Sequence, residues 1–426
     1  MVIMKFQLPT GTHDLFEEDL QYFQKIEKVC QEMAEFYDFK KIETPILEET
    51  GLFEKGTGFS TDIVEKQMYS FRTRGGDSLT MRPEGTPGVV RAYIQHGMQI
   101  LPKPVNLWYF GPFFRYERPQ AGRYRQFHQF GFESLGAQKP VVDVEIIKIF
   151  CNILKSLGFS NLILEVNSIG DSQCRPYFKK ILISYLRARR NSLCSDCKRR
   201  LRLNPLRILD CKQEKCQRVA RSSPQILDHL CKECHNHLKS VLEFLEDLEI
   251  PYNLNPCLVR GLDYYTKTVF EIFENSKEGK DQGALAGGGR YDDLVKLLGG
   301  KETPACGGAA GIERIINLMK LKSKGVFKET KIDVFLAQVG ELAKRKSLQL
   351  FEKFRGSKIK IYQSLNRDSL TSQLRLADRL GVKYVLILGQ QEALNKEIIV
   401  REMESGRQKT VPIEKVVNEM RKKLKK

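Results

Sequence analysis

Two aromatic-rich segments, NLWYFGPFFRYERP and RYRQFHQFGFESLG, carry the side chains a nucleotide site needs. In the first, Arg115 and Glu117 lie two apart. A strand would place both on one face, with Phe114 and Tyr116 on the other. The arginine can hold a phosphate or carboxylate through two parallel bonds, and the carboxylate can accept from an amino group. In the second segment the same alternation aligns Phe127, Gln129, Gly131 and Glu133. That row supplies a flat ring, an amide, a gap and a carboxylate, while His128, Phe130 and Phe132 form a core-like face. A glycine inside a strand often marks close approach of a ligand. Between the two segments, Arg118, Gln120, Arg123 and Arg125 make a basic loop able to close on a polyanion. An isolated Arg-x-Glu usually reads as a cross-strand ion pair. The matching row on the next strand turns the reading toward a site.

Other segments add complementary chemistry. LTMRPEGTPG sets Glu84 and Thr86 beside a turn, where they could bind an ammonium group. LVRGLDYYTKTVFEI places Arg260 before a glycine and follows it with Asp263, Tyr264 and Tyr265, which suits an anion next to a polar ring. AGGGRYDDL, which contains Tyr291, offers close backbone approach. It is not a P-loop, because no Lys-Ser/Thr follows. In GGAAGIERI, Arg314 falls in the first turns of a helix, where anions are favoured, and fits a phosphate clamp.

The chain has eleven cysteines, and six of them stand at 194, 197, 211, 216, 231 and 234. An odd number of thiols without an apolar leader argues against a disulfide framework and for a cytoplasmic protein. CSDC and CKEC are two C-x₂-C turns at a spacing that suits structural zinc. Cys194, Cys197, Cys231 and Cys234 are the expected four ligands, with Cys211 and Cys216 as alternates. The bland alternative is a set of buried thiols.

The length of 426 residues suggests about three domains to position these residues and makes a single compact one unlikely. Apolar residues at helical spacing run through 15–37 and again through 141–157. MYSFRT, SLTMRP and NLILEVNSIGD read as strands. From about 175 to 250 the pattern is helical, basic and cysteine-containing, like an insertion. A polar stretch at 322–331 reads as a linker. Beyond it KIDVFLAQVG, KIKIYQSL and VKYVLILG alternate with helices near 341–355 and 369–380, which predicts a small α/β domain with a mostly parallel sheet. The division is therefore 1–170, an insertion at 171–252, a return at 253–325, and 331–426.

Charge follows this division. Of the net +18, residues 331–426 carry +11 and residues 186–240 carry +9, leaving the rest at −2. Two separated basic regions around a near-neutral body suit a polyanion touched at two places. No apolar run is long enough to span a membrane.

IETPILEETGLFEK, FRYERPQAGRYRQFHQFGFE and GGAAGIERI resemble motifs 1, 2 and 3 of the class II aminoacyl-tRNA synthetases. LVRGLDYYTKTVFEI and AGGGRYDDLV resemble the two segments particular to the histidyl-tRNA synthetases. The likeness runs from Gly11 to the C-terminal domain. It implies an α+β catalytic domain, built on an antiparallel sheet flanked by helices, with a helical insertion and a C-terminal α/β anticodon-binding domain. It implies a homodimer formed partly by the segment around Pro45. It also implies two steps: L-histidine and ATP give histidyl-adenylate, and the histidyl group then passes to its tRNA.

By matching position, Arg115 would hold the ATP α-phosphate and the histidine carboxylate, and Glu117 the adenine amino group. Phe127 would stack on adenine, and Arg123 and Arg314 would hold the outer phosphates. Arg260 would meet the reacting α-phosphate. Glu84, Thr86 and Gln129 would take the substrate amine and backbone, Glu133 and Tyr265 the imidazole, and Tyr264 and Tyr291 would wall the pocket. Arg118 and Gln120 would contact the tRNA acceptor end. Mg²⁺ is implied with ATP, whereas zinc is not implied by the resemblance. The competing reading is a non-catalytic synthetase-like regulatory subunit, which typically lacks catalytic arginines or the anticodon domain. A general nucleic-acid-binding module fits the charge but not the Arg/Glu/Gln rows.

Overall fold

The computed structural model describes residues 6–59, 61–118, 122–276, 283–323 and 331–425. The chain divides into two compact units, Met1–Gly325 and Val326–Lys426.

In the first unit, α1 (Glu17–Phe36) opens with Glu17, Glu18 and Asp19, whose charges complement the positive end of the helix dipole. Then come β1 (Lys40–Lys41), β2 (Leu47–Glu49), α2 (Thr50–Thr57), β3 (Tyr69–Arg72), β4 (Ser78–Met81) and α3 (Thr86–Gln95). β5 (Val105–Phe114) and β6 (Gln126–Leu135) form the central hairpin, in register from Val105 opposite Leu135 to Phe114 opposite Gln126. α4 (Pro140–Ser156) starts on a proline, which suits the first helical turn. β7 (Leu162–Ser168) leads to the helices α5 (Arg175–Ala188), α6 (Ser195–Leu203), α7 (Glu214–Arg221) and α8 (Lys232–Asp247). β8 (Tyr252–Leu254), β9 (Thr266–Glu274), β10 (Ala286–Arg290) and β11 (Ala305–Gly311) return to the sheet, and a helix at Ile312–Ser323 follows.

The main sheet has the order β1-β5-β6-β11-β10-β9-β7-β8. Its interior pairings are antiparallel, and only the outer pairs, β1 with β5 and β7 with β8, are parallel. β2, β4 and β3 form a separate small sheet. Alternation decides which face of the main sheet is core. Phe130 and Phe132 are fully buried, and Phe150 of α4 stacks on Phe130 at 5.9 Å and meets Phe132 edge-on. Burying each such ring contributes roughly 1.5–3 kcal/mol. The helical side is thereby fixed, and the opposite side is left for Phe127, Gln129 and Glu133.

A buried ionic network joins this core to the insertion. Arg290 of β10 is fully buried and reaches Asp143 of α4 at 2.9 Å. Asp143 also lies 2.5 Å from His237 Nε2 of α8, and Arg290 donates to the carbonyls of Ala137 and Lys139. Burial works against a charged Asp143, but Arg290 and His237 hold its carboxyl below the usual range.

In the second unit, β12 (Val334–Gln338), β13 (Ile361–Gln363), β14 (Tyr384–Leu388), β15 (Glu397–Glu402) and β16 (Gln408–Pro412) form a sheet of order β13-β12-β14-β15-β16. Both faces of β12 and β14 are buried: Val334, Leu336, Leu386 and Leu388 on one side, Phe335, Ala337, Val385 and Ile387 on the other. The expected mostly parallel sheet is instead evenly mixed. β12 is parallel to β13 and β14, but β15 and β16 extend it as an antiparallel hairpin. Charged residues interrupt the apolar alternation in both added strands, and β16 is largely exposed.

Candidate active site

A cleft of about 320 Å³ opens on the free face of the main sheet. Eleven of the residues anticipated from sequence line it: Glu84, Thr86, Arg115, Glu117, Arg123, Phe127, Gln129, Arg260, Tyr264, Tyr265 and Arg314. They come from five separate stretches of chain, which the sheet brings together.

One end of the cleft is acidic and phenolic. Glu84 follows β4, and Thr86 begins α3. Thr57 donates to Glu84 Oε1 at 2.6 Å and Tyr264 donates to Oε2 at 2.7 Å. Burial raises the Glu84 carboxyl despite these bonds and the nearby Arg115 and Arg260. Beneath this wall, Thr86 donates to Glu133 Oε1 at 2.7 Å and Tyr291 to Oε2 at 2.5 Å. Glu133 and Tyr291 are thus floor residues, both almost wholly buried. Burial pushes Glu133 up to about 8, and Glu84 adds to the effect. Tyr265 is raised to about 12, mainly by burial, with Arg260 opposing.

The other end is cationic. Arg115 donates through Nε to the Pro83 carbonyl at 2.8 Å, and its guanidinium lies 5.3 Å from the centre of the Phe127 ring. Arg123 pairs with Glu117 at 3.3 Å. Arg314 donates to the Ala284 carbonyl at 2.8 Å. Burial lowers Arg314 to about 10, and the positive charges of Arg123 and Arg115 contribute. Three guanidiniums held this close concentrate a positive field in one cleft. Arg118 is exposed. Gln120 lies outside the described residues.

Arg260 lies between the two ends. It pairs with Glu271 of β9, and its guanidinium is 5.9 Å from the Tyr265 ring centre. Burial opposes its charge, but Glu271 and the two tyrosines hold it protonated. The AGGGR strand makes room for it. A Cβ on Gly287 would lie 2.6 Å from Arg260 Nη1, so any side chain there would displace the arginine. Glu271 sits directly opposite Gly287 in the ladder.

Two details of the sequence reading change. Arg115 and Glu117 do not share a strand face, because β5 ends at Phe114. Glu117 N–H turns back to the Arg115 carbonyl at 2.8 Å, and this tight local bond takes the chain out of the ladder. The gap at Gly131 is filled by protein and not left for a ligand. A Cβ there would lie 2.3 Å from the Tyr109 ring, as would one on Gly85.

Tyr109, which lines the cleft and approaches Glu133 at 3.4 Å, was hidden among the aromatic residues of β5. Glu271, within the LVRGLDYYTKTVFEI segment but not singled out there, and Arg207 and Asp210, which carried no motif, also line the cleft. Glu313 could have been suspected from its place before Arg314. It accepts from the His128 backbone N–H at 2.9 Å and lies 2.7 Å from His128 Nδ1, fixing the start of the 312–323 helix against β6. His128 itself packs edge-on against Phe23 at 4.8 Å.

The expected zinc ligand set is also corrected. Cys194 and Cys197 do not meet Cys231 and Cys234. The first pair gathers with Cys211 and Cys216, and the second with Asp171 and Cys174. The two C-x₂-C turns open different helices, α6 and α8, and each finds its own partners. Spacing along a chain identifies such turns but not their pairing.

The family model described as histidyl-tRNA synthetase matches residues 11–172 and 190–315, and that for the anticodon binding domain matches 333–423. The histidine–tRNA ligase of Dehalococcoides mccartyi strain 195 is 44% identical over 421 residues, 98% of this chain and 100% of that protein. The solved structure of apo S. aureus histidyl-tRNA synthetase is 36% identical, with a TM-score of 0.77, over 97% of this chain and 99% of that one. A Bacillus halodurans structure, titled an ATP phosphoribosyltransferase regulatory subunit/histidyl-tRNA synthetase, shares the fold at 19% identity. Its TM-score is 0.63, over 91% of this chain and 99% of that one.

Proposed function

The chain belongs to the histidyl-tRNA synthetase family, and on that premise we propose that its cleft joins L-histidine to ATP before passing the histidyl group to tRNA. The chain attaches histidine to its cognate tRNA, and the cleft is where the chemistry would occur. The observation that carries this is the meeting, in one cleft, of a three-arginine end and a carboxylate–phenol end, with Arg260 between them.

In this reading ATP lies with adenine on Phe127 and its amino group toward Glu117. Arg123 and Arg314 take the outer phosphates. Arg115 and Arg260 hold the α-phosphate and the histidine carboxylate, so that attack makes the acyl-phosphate bond and releases pyrophosphate. Arg260 stabilises the charge that grows on the α-phosphate oxygens. Glu84, Thr86 and Gln129 take the substrate amine and backbone. Tyr265 and, from the buried floor, Glu133 would address the imidazole, with Tyr264 in the wall of the pocket and Tyr291 beneath it. Neutral imidazole presents one donor and one acceptor. A site that pairs both rejects analogues lacking either by ~10⁴–10⁵. Mg²⁺ would neutralise phosphate charge. Among the described residues, no group of three or more side chains suited to a metal lies in the cleft. The ion would be held mostly by phosphates and water.

Arg118 and Gln120 belong at the acceptor end of the tRNA, and the second unit at the anticodon. The homodimer would form through the segment around Pro45. Exposed Ile46 and Leu47 flank a groove there, lined by Ile42, Thr44 and Arg91. A regulatory-subunit role is disfavoured because Arg115, Arg260 and Arg314 all reach the cleft.

The test is charging of histidine tRNA by purified protein offered each of the twenty amino acids. Incorporation of histidine alone, dependent on ATP, is expected. No incorporation by folded protein would overturn the proposal.

A further inference from the structure

Seven of the eleven cysteines fall into two clusters in or beside the insertion. In the first, the sulfurs of Cys194, Cys197, Cys211 and Cys216 all lie within 4.8 Å of one another. In the second, a carboxylate oxygen of Asp171 and the sulfurs of Cys174, Cys231 and Cys234 meet the same limit. The cysteines are free thiols. Cys194 and Cys211 are 3.9 Å apart at sulfur, and Cys174 and Cys234 are 3.8 Å apart. A disulfide requires about 2.05 Å. Four ligands arranged tetrahedrally around zinc at ~2.3 Å stand roughly 3.8 Å from one another.

The backbone around both clusters is also arranged for thiolates. Cys194 caps α6 and accepts from Cys197 N–H at 3.4 Å, while Cys231 caps α8 and accepts from Cys234 N–H at 3.5 Å. Cys194 N–H donates to Cys216 sulfur at 3.2 Å, and Asp171 N–H to Cys174 sulfur at 3.4 Å. Peptide donors aimed at sulfur disperse the charge a deprotonated ligand carries. The basic excess of residues 186–240 offsets what remains.

We propose that the protein holds two structural zinc ions, one on Cys194, Cys197, Cys211 and Cys216 and one on Asp171, Cys174, Cys231 and Cys234. Thiolate-rich, tetrahedral, closed ligand sets are those zinc takes in structural sites. The first ion ties α6 and α7 to the turn ending in Cys211. That turn carries Arg207 and Asp210 to the rim of the cleft. The second ties the start of α8 to the 171–174 turn beside Arg175. Arg175 in turn donates to the Tyr265 carbonyl at 2.6 Å and to the Gly170 carbonyl at 2.9 Å. Both ions would stiffen the border of the cleft while touching no reacting atom. The proposal stands apart from the catalytic assignments and is tested without an activity readout.

Elemental analysis of the full chain, purified without chelator or nickel resin, should find about two zinc ions per chain. Cys194→Ser and Cys231→Ser should each lose about one ion, and the double variant about two. Should a variant fail to fold, the wild-type chain provides a second measurement. Refilled with Co²⁺ alone, it should show sulfur-to-cobalt charge-transfer absorption rising to saturation at about two equivalents. Less than about half an ion per chain, with no such band on Co²⁺ addition, would overturn the proposal. So would a single ion lost by substitution in either cluster, because that would mean one site and not two.

Discussion

A guanidinium that must meet a growing negative charge is useful only if it is held in place beforehand. Glu271 and the space above Gly287 hold Arg260 in this way. Arg260→Ala should slow adenylate formation by ~10²–10³, the usual loss for one preorganised stabilising donor, while weakening histidine binding less. Single-turnover measurement decides it, and a near-normal rate would remove Arg260 from the reaction. Glu133 makes a different prediction. Its carboxyl is pushed up to about 8 in the folded protein, so the folded state keeps a proton that the unfolded chain releases near pH 4.5. Its contribution to stability is fully present below pH 4.5 and falls as pH rises through 8. Relative to Glu133→Gln, the wild-type protein should therefore lose stability between pH 5 and pH 9, by as much as ~4 kcal/mol. Urea unfolding of both proteins across that range checks this, and parallel curves would refute it. Arg115, Arg260 and Arg314, which all line the cleft, stood out in sequence because each falls in a segment that resembles a family motif, and Arg115 also because a matching row follows on the next strand. Tyr109 and Glu271 were not, because each is an ordinary strand residue until the neighbouring strand faces it.

The β5–β6 hairpin and the glycine strand β10 act as a frame whose two faces do different work. One face packs on α4, and the other carries the site. The hairpin was readable because two aromatic-rich runs, each giving a ten-residue strand, are separated by a polar segment. The end of β5 was not, since a single local bond at Glu117 takes the chain out of the ladder. The pairing of the cysteine turns and the last two strands of the second unit were hidden for related reasons. Both depend on partners distant in sequence or on strands too polar to alternate. The buried Arg290–Asp143–His237 network belongs to this scale, since it pins α4 and α8 to β10. Replacing Arg290 by leucine strands a buried carboxylate and should cost about 3–5 kcal/mol. A change below about 1 kcal/mol in denaturant unfolding would show that the network is not what ties these elements together.

At the scale of the whole molecule, each compact unit has its own core, and positive charge is concentrated in the second unit and the insertion. Composition and charge change together along the sequence at the start of the second unit. Deleting residues 331–426 removes a net +11 and leaves every cleft residue in place. Amino-acid activation should persist while tRNA charging falls steeply. The remaining tRNA binding should depend less steeply on salt, because fewer phosphates are neutralised. Equal loss of both activities in a folded truncation would make the second unit part of the catalytic body. The cleft should activate histidine before any tRNA is present. Exchange of labelled pyrophosphate into ATP by the full chain, without tRNA, measures that step alone. Exchange that requires histidine and is not supported by the other amino acids is expected. No exchange, or exchange indifferent to histidine, from folded protein with Mg²⁺ and ATP would contradict it.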